Sequence, residues 1–278
     1  NTQSLILLGE AYMLKGDVVK AIQHMEQVVE MIPDQAETWL ALARLWRKAG
    51  HSDRAFEILQ KGVIALPNNP ELLRTLGKAH LEKQAPSDAL ICLKKAFEFE
   101  PTNLEGKIDL AQAEFELGKY HESLTLLEPY LECYKDKPRI SRLLGHVLLA
   151  LGKKDKAEAI LLSAAEHDPD DQQTLLAATR TALERLESSP QDDSEELLIR
   201  IRKLLQKSLL KSQDRYAINL HLADIERLLG FNQKAFDLYT KLAKEDAPQR
   251  LLSDWRLDYG MGQAAMALGN FDVGLASL

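Results

Sequence analysis

Four basic side chains near the start of the sequence recur at helical spacing. Arg44 and Arg47 are three residues apart, and Arg74 and Lys78 are four apart, so each pair would share one face of a helix. Guanidinium groups bind carboxylates through two parallel hydrogen bonds, which suits an acidic peptide or a chain terminus. The spacing therefore favours recognition of an anionic ligand, provided that the fold brings the two pairs together.

Other kinds of chemistry find little support in the sequence. It contains no Walker loop, no nucleophile elbow and no Cys/His spacing typical of a metal site. The run Gly260–Met261–Gly262 lies in a helical pattern and follows no strand, which argues against a dinucleotide loop. The seven histidines are scattered, one to a region. We therefore predict no enzymatic activity for this stretch of chain and no cofactor.

Composition and net charge indicate which class of partner to expect. The 278 residues carry a formal charge of −7, which gives no general attraction to nucleic acid or to anionic membranes. No apolar run is long enough to cross a membrane. The expected partner is therefore a protein or peptide, with an acidic peptide as one candidate. Two cysteines cannot build a disulfide framework, and they leave a cytoplasmic and a periplasmic location equally open.

The stretch from 36 to 69 shows which elements would position these side chains. Trp39, Ala43 and Trp46 lie on one apolar helical face, and Gly50 follows as a helix stop. A second apolar helical pattern then runs up to Pro67, which cannot continue a helix. The stretch is therefore predicted to be two helices joined by a tight turn.

This unit recurs with starts at 2, 36, 70, 104 and 138, each 34 residues apart, and with further starts near 172, 216 and 255. Within each unit, aromatic, leucine, glycine, alanine and proline residues tend to return at fixed positions. In this pattern the chain resembles the tetratricopeptide repeat family. The resemblance implies an all-α fold, a right-handed superhelical solenoid of antiparallel helix pairs, with about eight repeats in a single domain, 1–278. Small residues at the eighth position of a repeat would let its two helices approach closely.

Two repeats depart from the pattern. In the fourth repeat Pro129 falls inside the second helix and should kink or shorten it. The sixth repeat carries about ten extra residues around 188–196, and we predict that residues 188–193 form an exposed, mobile loop. The last repeat is truncated, and the first repeat starts at Thr2 directly after Asn1, so we expect the chain to be part of a longer protein.

The resemblance also implies where a ligand would bind, because the first helices of successive repeats line a concave groove in this family. The arginine and lysine pairs would then form one patch that remains net positive against Glu37, Glu71 and Glu82, and Arg142, His146 and Arg180 would form a second cluster. The alternative is that the arginines only pair with carboxylates such as Glu105 and bind nothing. The asparagines of the family's chaperone-tail clamp are missing. The candidate groove residues are Arg44, Arg47, Arg74, Lys78, Ile108, Gln112, Phe115, Arg142, His146, Arg180 and Arg227.

Three functions fit this reading. The first is a protein–protein interaction scaffold whose groove binds a peptide or partner protein. The second is the repeat arm of an enzyme such as a glycosyltransferase or sulfotransferase, with a catalytic domain beyond Leu278. The third is a scaffold for export or envelope assembly. The sequence favours the first, because the chain shows no chemistry of its own.

Overall fold

The computed structural model describes residues 12, 15–131, 137–188, 194–212, 215–245 and 255–277. Within these ranges the chain forms helices and turns and no strand. The helices are α1 Val18–Met31, α2 Ala36–Lys48, α3 Ser52–Ala65, α4 Pro70–Glu82, α5 Pro86–Phe99, α6 Leu104–Glu116, α7 Tyr120–Leu127, α8 Pro138–Ala150, α9 Lys154–His167, α10 Gln172–Ser188, α11 Ser194–Leu209, α12 Tyr216–Leu228, α13 Asn232–Glu245, α14 Trp255–Ala267 and α15 Phe271–Ser277.

From α2 onward the helices are arranged in consecutive pairs. Within a pair the turn is short, as between Lys48 and Ser52, so the second helix must run back along the first. The prediction of an all-α fold built from helix pairs is confirmed. The pairs α2/α3 to α6/α7 each carry their apolar faces inward, as the spacing of Trp39, Leu42 and Ala43 in α2 shows, since all three are buried.

The chain forms two compact units, Asn1–Pro129 and Tyr130–Leu278, called unit 1 and unit 2 below. Unit 1 contains α1 to α7, and unit 2 contains α8 to α15. In unit 1 the largest buried cluster centres on Trp39, Leu42 and Leu59. In unit 2 separate clusters surround Ile201 and Tyr239. The expectation that the repeats form one right-handed solenoid stays a prediction.

Glycine at the eighth position of a repeat sets the distance between paired helices. A Cβ atom built on Gly77 would lie 2.6 Å from the side chain of Leu93 on the partner helix. In unit 2 a Cβ atom on Gly145 would lie 2.6 Å from Leu161. Both distances are far inside van der Waals contact, so only glycine permits this packing. The predicted close approach of the two helices is confirmed at both positions.

The described turns inside helix pairs include residues with a left-handed backbone. Gly50 adopts φ +83°, and the amide of His51 donates a hydrogen bond of 2.9 Å to the carbonyl of Trp46, which caps α2. In the next repeat Gln84 takes this place with φ 57°, and the amide of Ala85 bonds the carbonyl of His80 at 2.9 Å. The same turn therefore forms with Gln84, although the left-handed conformation is sterically unfavourable for a residue with a Cβ atom.

Pro129 shortens the second helix of the fourth repeat, as predicted. The α-helix ends at Leu127, and residues Glu128–Tyr130 continue as a single 3₁₀ turn. The result is an eight-residue helix where α3 and α5 each have 14 residues. A proline has no amide proton to donate, and its ring opposes the next helical turn.

Part of the predicted loop in the sixth repeat falls outside the described residues. On its N-terminal side α10 extends to Ser188, and on its C-terminal side α11 begins at Ser194. The mobility prediction covered residues 188–193; Ser188 is the last residue of α10, and 189–193 are not among the described ranges. Most of the predicted first helix of the first repeat also lies outside the described ranges.

Candidate functional site

Unit 1 contains a cavity of about 510 Å³ between α2, α3 and α4, called the unit 1 groove. Arg44 and Arg47 enter it from α2, and Glu71, Thr75 and Glu82 enter it from α4. Its floor is apolar; the lining residues on that side are Leu40, Ala43, Ala55, Phe56, Leu59 and Ala79. An apolar floor with convergent charged groups at the sides is the usual composition of a ligand site.

Some of the charged side chains of this groove already form ion pairs with one another. Arg47 pairs with Glu82 across the groove, and Lys83 pairs with Asp53. The ammonium of Lys83 holds the pKa of Asp53 below its ordinary value. Arg44 differs, since its Nε donates to the carbonyl of Leu40 at 3.3 Å and it forms no ion pair with a carboxylate within the described residues. Arg44 is also exposed, so its terminal nitrogens are available to a ligand.

Arg74 points away from this groove. Its Nη1 lies 3.5 Å from a carboxylate oxygen of Asp109, which is buried on α6. Among the described residues, neither Arg74 nor Lys78 lines the cavity that holds Arg44 and Arg47. Helical spacing alone predicts that these four cations lie together, and it does not reveal the role of Asp109. The structure places two of them in the groove and uses a third to neutralise a buried carboxylate.

A regular offset could have identified these pairings. Arg47 and Glu82 are 35 residues apart, and so are Arg74 and Asp109. The offset is one repeat of 34 plus one residue, so it joins equivalent faces of successive first helices. Searching the sequence for opposite charges at this offset would have predicted both ion pairs.

The three candidates on α6 have different surroundings. Ile108 is buried, with 5% exposure, and offers a ligand almost no surface. Gln112 donates to Glu116 at 2.8 Å, one helical turn along. Phe115 packs its ring against Tyr120, with 5.6 Å between ring centroids. The structure does not bring these side chains together into a cavity with the arginines of α2.

In unit 2, Arg142 and His146 of α8 contact the start of α10. Arg142 lies 3.3 Å from a carboxylate oxygen of Asp171, and the Nε2 of His146 lies 3.2 Å from the hydroxyl of Thr174. Burial raises the pKa of Asp171, but hydrogen bonds from Thr174 and Arg142 outweigh it and lower that pKa overall. Burial also lowers the pKa of His146, which favours a neutral ring. The pair is therefore a polar cluster that holds α8 to α10.

Arg180 lies elsewhere, in a cavity of about 320 Å³ between α10, α12 and α14, called the unit 2 groove. It shares this groove with Arg227 and Arg256. The sequence pattern predicted a cluster with Arg142 and His146 instead, and these two do not line the groove. Each arginine has a carboxylate partner: Arg180–Glu184 at 2.9 Å, Arg227–Glu187 at 2.6 Å and Arg256–Asp224 at 3.1 Å. Lys154 also binds Glu184, at 2.5 Å, and these two cations lower the pKa of that carboxyl.

A buried network lies beneath the unit 2 groove. The hydroxyl of Tyr239 donates to Asp224 at 2.6 Å, and Asp224 also binds Arg256. Burial raises the pKa of Asp224 and, with the nearby carboxylate, raises the pKa of Tyr239. Burial lowers the pKa of His221 to about 3, so its ring is neutral at physiological pH. Asp224 therefore links Tyr239 of α13 to Arg256 of α14.

Trp255 and Tyr259 stand at the open side of the unit 2 groove. Trp255 is 70% exposed and Tyr259 44% exposed. Their ring centroids are 6.3 Å apart, with 55° between the ring planes. The sequence analysis did not select Trp255, because it occupies the first position of its helix and no spacing rule marked it.

The described ranges contain no group of three or more His, Cys, Asp or Glu side chains that could hold a metal ion. Within the same ranges, no helix combines the length and apolar character needed to cross a membrane.

Comparison with known proteins agrees with the fold. The tetratricopeptide repeat family profile matches residues 12–79 and 118–179. In the described part of the chain both segments consist of consecutive helices of the paired type described above. The chain contains tetratricopeptide repeats in both segments.

The curated relatives of this chain are much longer. The tetratricopeptide repeat protein 21 homolog of Caenorhabditis elegans is 22% identical over 171 residues, which is 60% of this chain and 13% of the relative. The homologous protein of Caenorhabditis briggsae is also 22% identical, over 175 residues. The chain therefore spans only about an eighth of the length of these relatives.

Solved structures support the fold over most of the chain. A tetratricopeptide repeat protein from Parabacteroides merdae aligns with a TM-score of 0.60, covering 95% of this chain and 98% of its own, at 14% identity. YrrB, described as a tetratricopeptide repeat protein with an unusual peptide-binding site, aligns with a TM-score of 0.52 over 67% of this chain and 94% of its own, at 17% identity. At such identities the likeness establishes the fold alone.

Proposed function

We propose that this chain is a protein-interaction scaffold and that the unit 1 groove binds a segment of a partner protein. Paired helices stacked in series present first-helix side chains along an open face, and such faces bind extended partners. The unit 1 groove supports this proposal, because consecutive helices α2, α3 and α4 form it and give it an apolar floor and charged sides. YrrB, a repeat protein with an unusual peptide-binding site, has a similar fold, which is in keeping with the proposal.

The observation that carries the proposal is the state of Arg44. Its guanidinium is exposed at the groove and forms no carboxylate pair within the described residues, while Arg47 beside it is held by Glu82. An arginine fork of this kind can bind one carboxylate of an incoming segment through two hydrogen bonds. The partner segment is therefore expected to be acidic, with one carboxylate placed opposite Arg44.

The charge balance refines the expectation drawn from the sequence. Arg44, Arg47 and Lys83 line the groove together with three carboxylates, Asp53, Glu71 and Glu82. The groove lining is thus close to neutral, and not net positive. Binding of an acidic segment should depend on the local geometry at Arg44 more than on a long-range field, and its sensitivity to salt should be modest.

A paired-variant experiment tests the proposal. A capped, fluorescently labelled oligoglutamate peptide is titrated with the whole chain and with Arg44→Ala, and binding is measured by anisotropy. Loss of a charge-assisted contact should weaken binding about tenfold, equivalent to ~1.4 kcal/mol. Arg54→Ala is the matched control, because Arg54 is exposed on α3, pairs with Glu57 at 3.1 Å and does not line the groove.

The outcomes distinguish a specific site at Arg44 from a general attraction to the protein surface. If Arg44→Ala and Arg54→Ala weaken binding equally, the attraction is a general surface effect and the proposed site is wrong. If neither the oligoglutamate peptide nor any partner segment loses affinity in Arg44→Ala, the groove is not the binding surface. Arg74→Ala is a poorer test, since Arg74 neutralises the buried carboxylate of Asp109 and its removal also alters stability.

A further inference from the structure

The aromatic pair of unit 2 has a different chemistry from the unit 1 groove. Trp255 and Tyr259 are four residues apart on α14, so they lie on one helical face, and that face lines the unit 2 groove. Their ring planes meet at 55° with 6.3 Å between centroids, so the two rings form one tilted aromatic pair at the groove.

The exposure of Trp255 sets it apart from the other tryptophans. Trp39 is 8% exposed and Trp46 is partly buried, whereas Trp255 is 70% exposed. Leaving an indole in water forgoes the free energy that its burial would provide. Tryptophan, tyrosine and arginine are also the residue types most enriched among the few interface residues that contribute most of the binding energy.

The charged side chains of the unit 2 groove pair with one another. Arg227 pairs with Glu187 and Arg256 with Asp224, and Arg180 and Lys154 both pair with Glu184. The neighbouring His221 is neutral. The arginines of this groove are thus already paired with carboxylates, so the groove has little to attract a strongly charged segment of either sign.

We propose that the unit 2 groove binds an uncharged, proline-containing extended segment of a partner protein, with its proline rings packed against Trp255 and Tyr259. Polyproline II segments dock on aromatic-lined grooves because they are stiff and lose little entropy on binding. Their backbone carbonyls have no internal hydrogen bonds and need donors. Arg180, which is 69% exposed, and the hydroxyl of Tyr259 stand beside the aromatic rings and supply such donors.

The size of the groove excludes a helical partner. A cavity of about 320 Å³ holds a few side chains of an extended segment. A helix with its side chains is about 10–12 Å across and needs a broader trough. The proposal concerns unit 2 alone and stands independently of the acidic segment proposed for the unit 1 groove.

The probe is a capped polyproline peptide without charged residues, added to the whole chain. Trp255 supplies the reporter, because an exposed indole that becomes covered shifts its fluorescence emission to shorter wavelength. The expected result is a saturable blue shift that is insensitive to salt, together with no response to a glycine–serine peptide of equal length. Trp255→Ala and Tyr259→Ala should each weaken polyproline binding about tenfold or more, as measured by anisotropy.

Controls keep the result decisive. Phe231→Ala is matched, since Phe231 is 46% exposed and lies outside the groove; it should bind polyproline as the parent chain does. Trp255→Phe keeps an aromatic face and should retain most of the affinity, which separates loss of contact from loss of fold. The proposal is overturned if polyproline produces no saturable shift, if Trp255→Ala binds it unchanged, or if oligoglutamate or oligolysine binds this groove more tightly than polyproline does.

Discussion

The hydroxyl of Tyr239 donates a hydrogen bond of 2.6 Å to a carboxylate oxygen of Asp224, and both side chains are buried. Tyr239 belongs to α13, and Asp224 belongs to α12, which lines the unit 2 groove. The same carboxylate binds Arg256 on α14 at 3.1 Å. The position of a groove arginine is thus fixed by a hydrogen bond from the second helix of the repeat before it.

Tyr239→Phe tests this link. Removing the hydroxyl leaves a buried carboxylate oxygen without its donor, so we expect a loss of about 1.5–3 kcal/mol in the free energy of unfolding, the range for hydrogen bonds to charged groups. Amide hydrogen exchange across α12 and α13 measures it within unit 2. Tyr259→Phe removes an exposed hydroxyl and should change stability by less than about 0.5 kcal/mol. Equal effects of the two variants would show that the buried hydrogen bond is unimportant.

Gly77→Ala tests the close approach of paired helices. The added methyl would lie 2.6 Å from Leu93, so the helices must separate, and we expect a loss of about 1–3 kcal/mol. Gly106→Ala is the control, because its Cβ would have no neighbour closer than 3.7 Å. Alanine favours helix over glycine, so this second change should be neutral or stabilise by up to about 1 kcal/mol. Chemical denaturation measures both, and a destabilised Gly106→Ala would contradict the packing account.

Gln84→Gly tests the strained turn of the third repeat. Gln84 has φ 57°, a conformation that costs a non-glycine residue roughly 1 kcal/mol. Glycine removes that cost, so the variant should raise the free energy of unfolding. The converse change, Gly50→Ala at φ +83°, should lower it by a similar amount. If both changes act in the same direction, the turn conformation is not what limits stability there.

Glu114→Gln tests a buried charge in unit 1. Glu114 is 5% exposed, and its Oε2 has no hydrogen-bond partner among the described residues. Burial raises the pKa of Glu114, against the partial counteraction of Lys94 and Lys119 and with the support of Glu122. The folded chain therefore binds this proton more tightly than the unfolded chain. Stability from this group is fully present below the ordinary glutamate pKa and falls as the pH rises through the raised pKa.

The glutamine variant should remove that fall, because it cannot ionise. Near neutral pH it should be more stable than the parent chain by about 1 kcal/mol, the scale of a desolvated polar group. Unfolding is measured from acidic to neutral pH. Glu98→Gln, which changes an exposed carboxylate on α5, should keep the parent's pH dependence. A Glu114→Gln variant with the parent's pH profile would contradict the assignment.

The sequence predicts the helical framework well because the framework is local. Glycine at Gly50 and Gly77, and proline at Pro129, each act on the backbone within one repeat, and the repeat multiplies the signal. The candidate site is less predictable, because it depends on which side chains of different repeats meet. The spacing that links Arg44 to Arg47 says nothing of Asp109, which draws Arg74 toward the next repeat.

Two further site residues show the same limit. Ile108 has a groove position in the repeat pattern, yet packing buries it, since position on a helix does not fix how closely the neighbouring helix approaches. Arg180 lies in the unit 2 groove with Arg227, where Glu184 pairs with the first and Glu187 with the second. The Arg227–Glu187 pair joins residues 40 apart, an offset that the 34-residue repeat does not predict.

The central claim is that the unit 1 groove is a binding surface centred on Arg44, and chemical-shift mapping tests it most directly. Isotope-labelled chain is titrated with the capped oligoglutamate peptide, and amide shifts are followed residue by residue. The account predicts saturable shifts concentrated on α2 and α4 around Arg44 and Thr75, which disappear in Arg44→Ala. Shifts that are spread over the outer faces of α3 and α5, or that persist in Arg44→Ala, would contradict it.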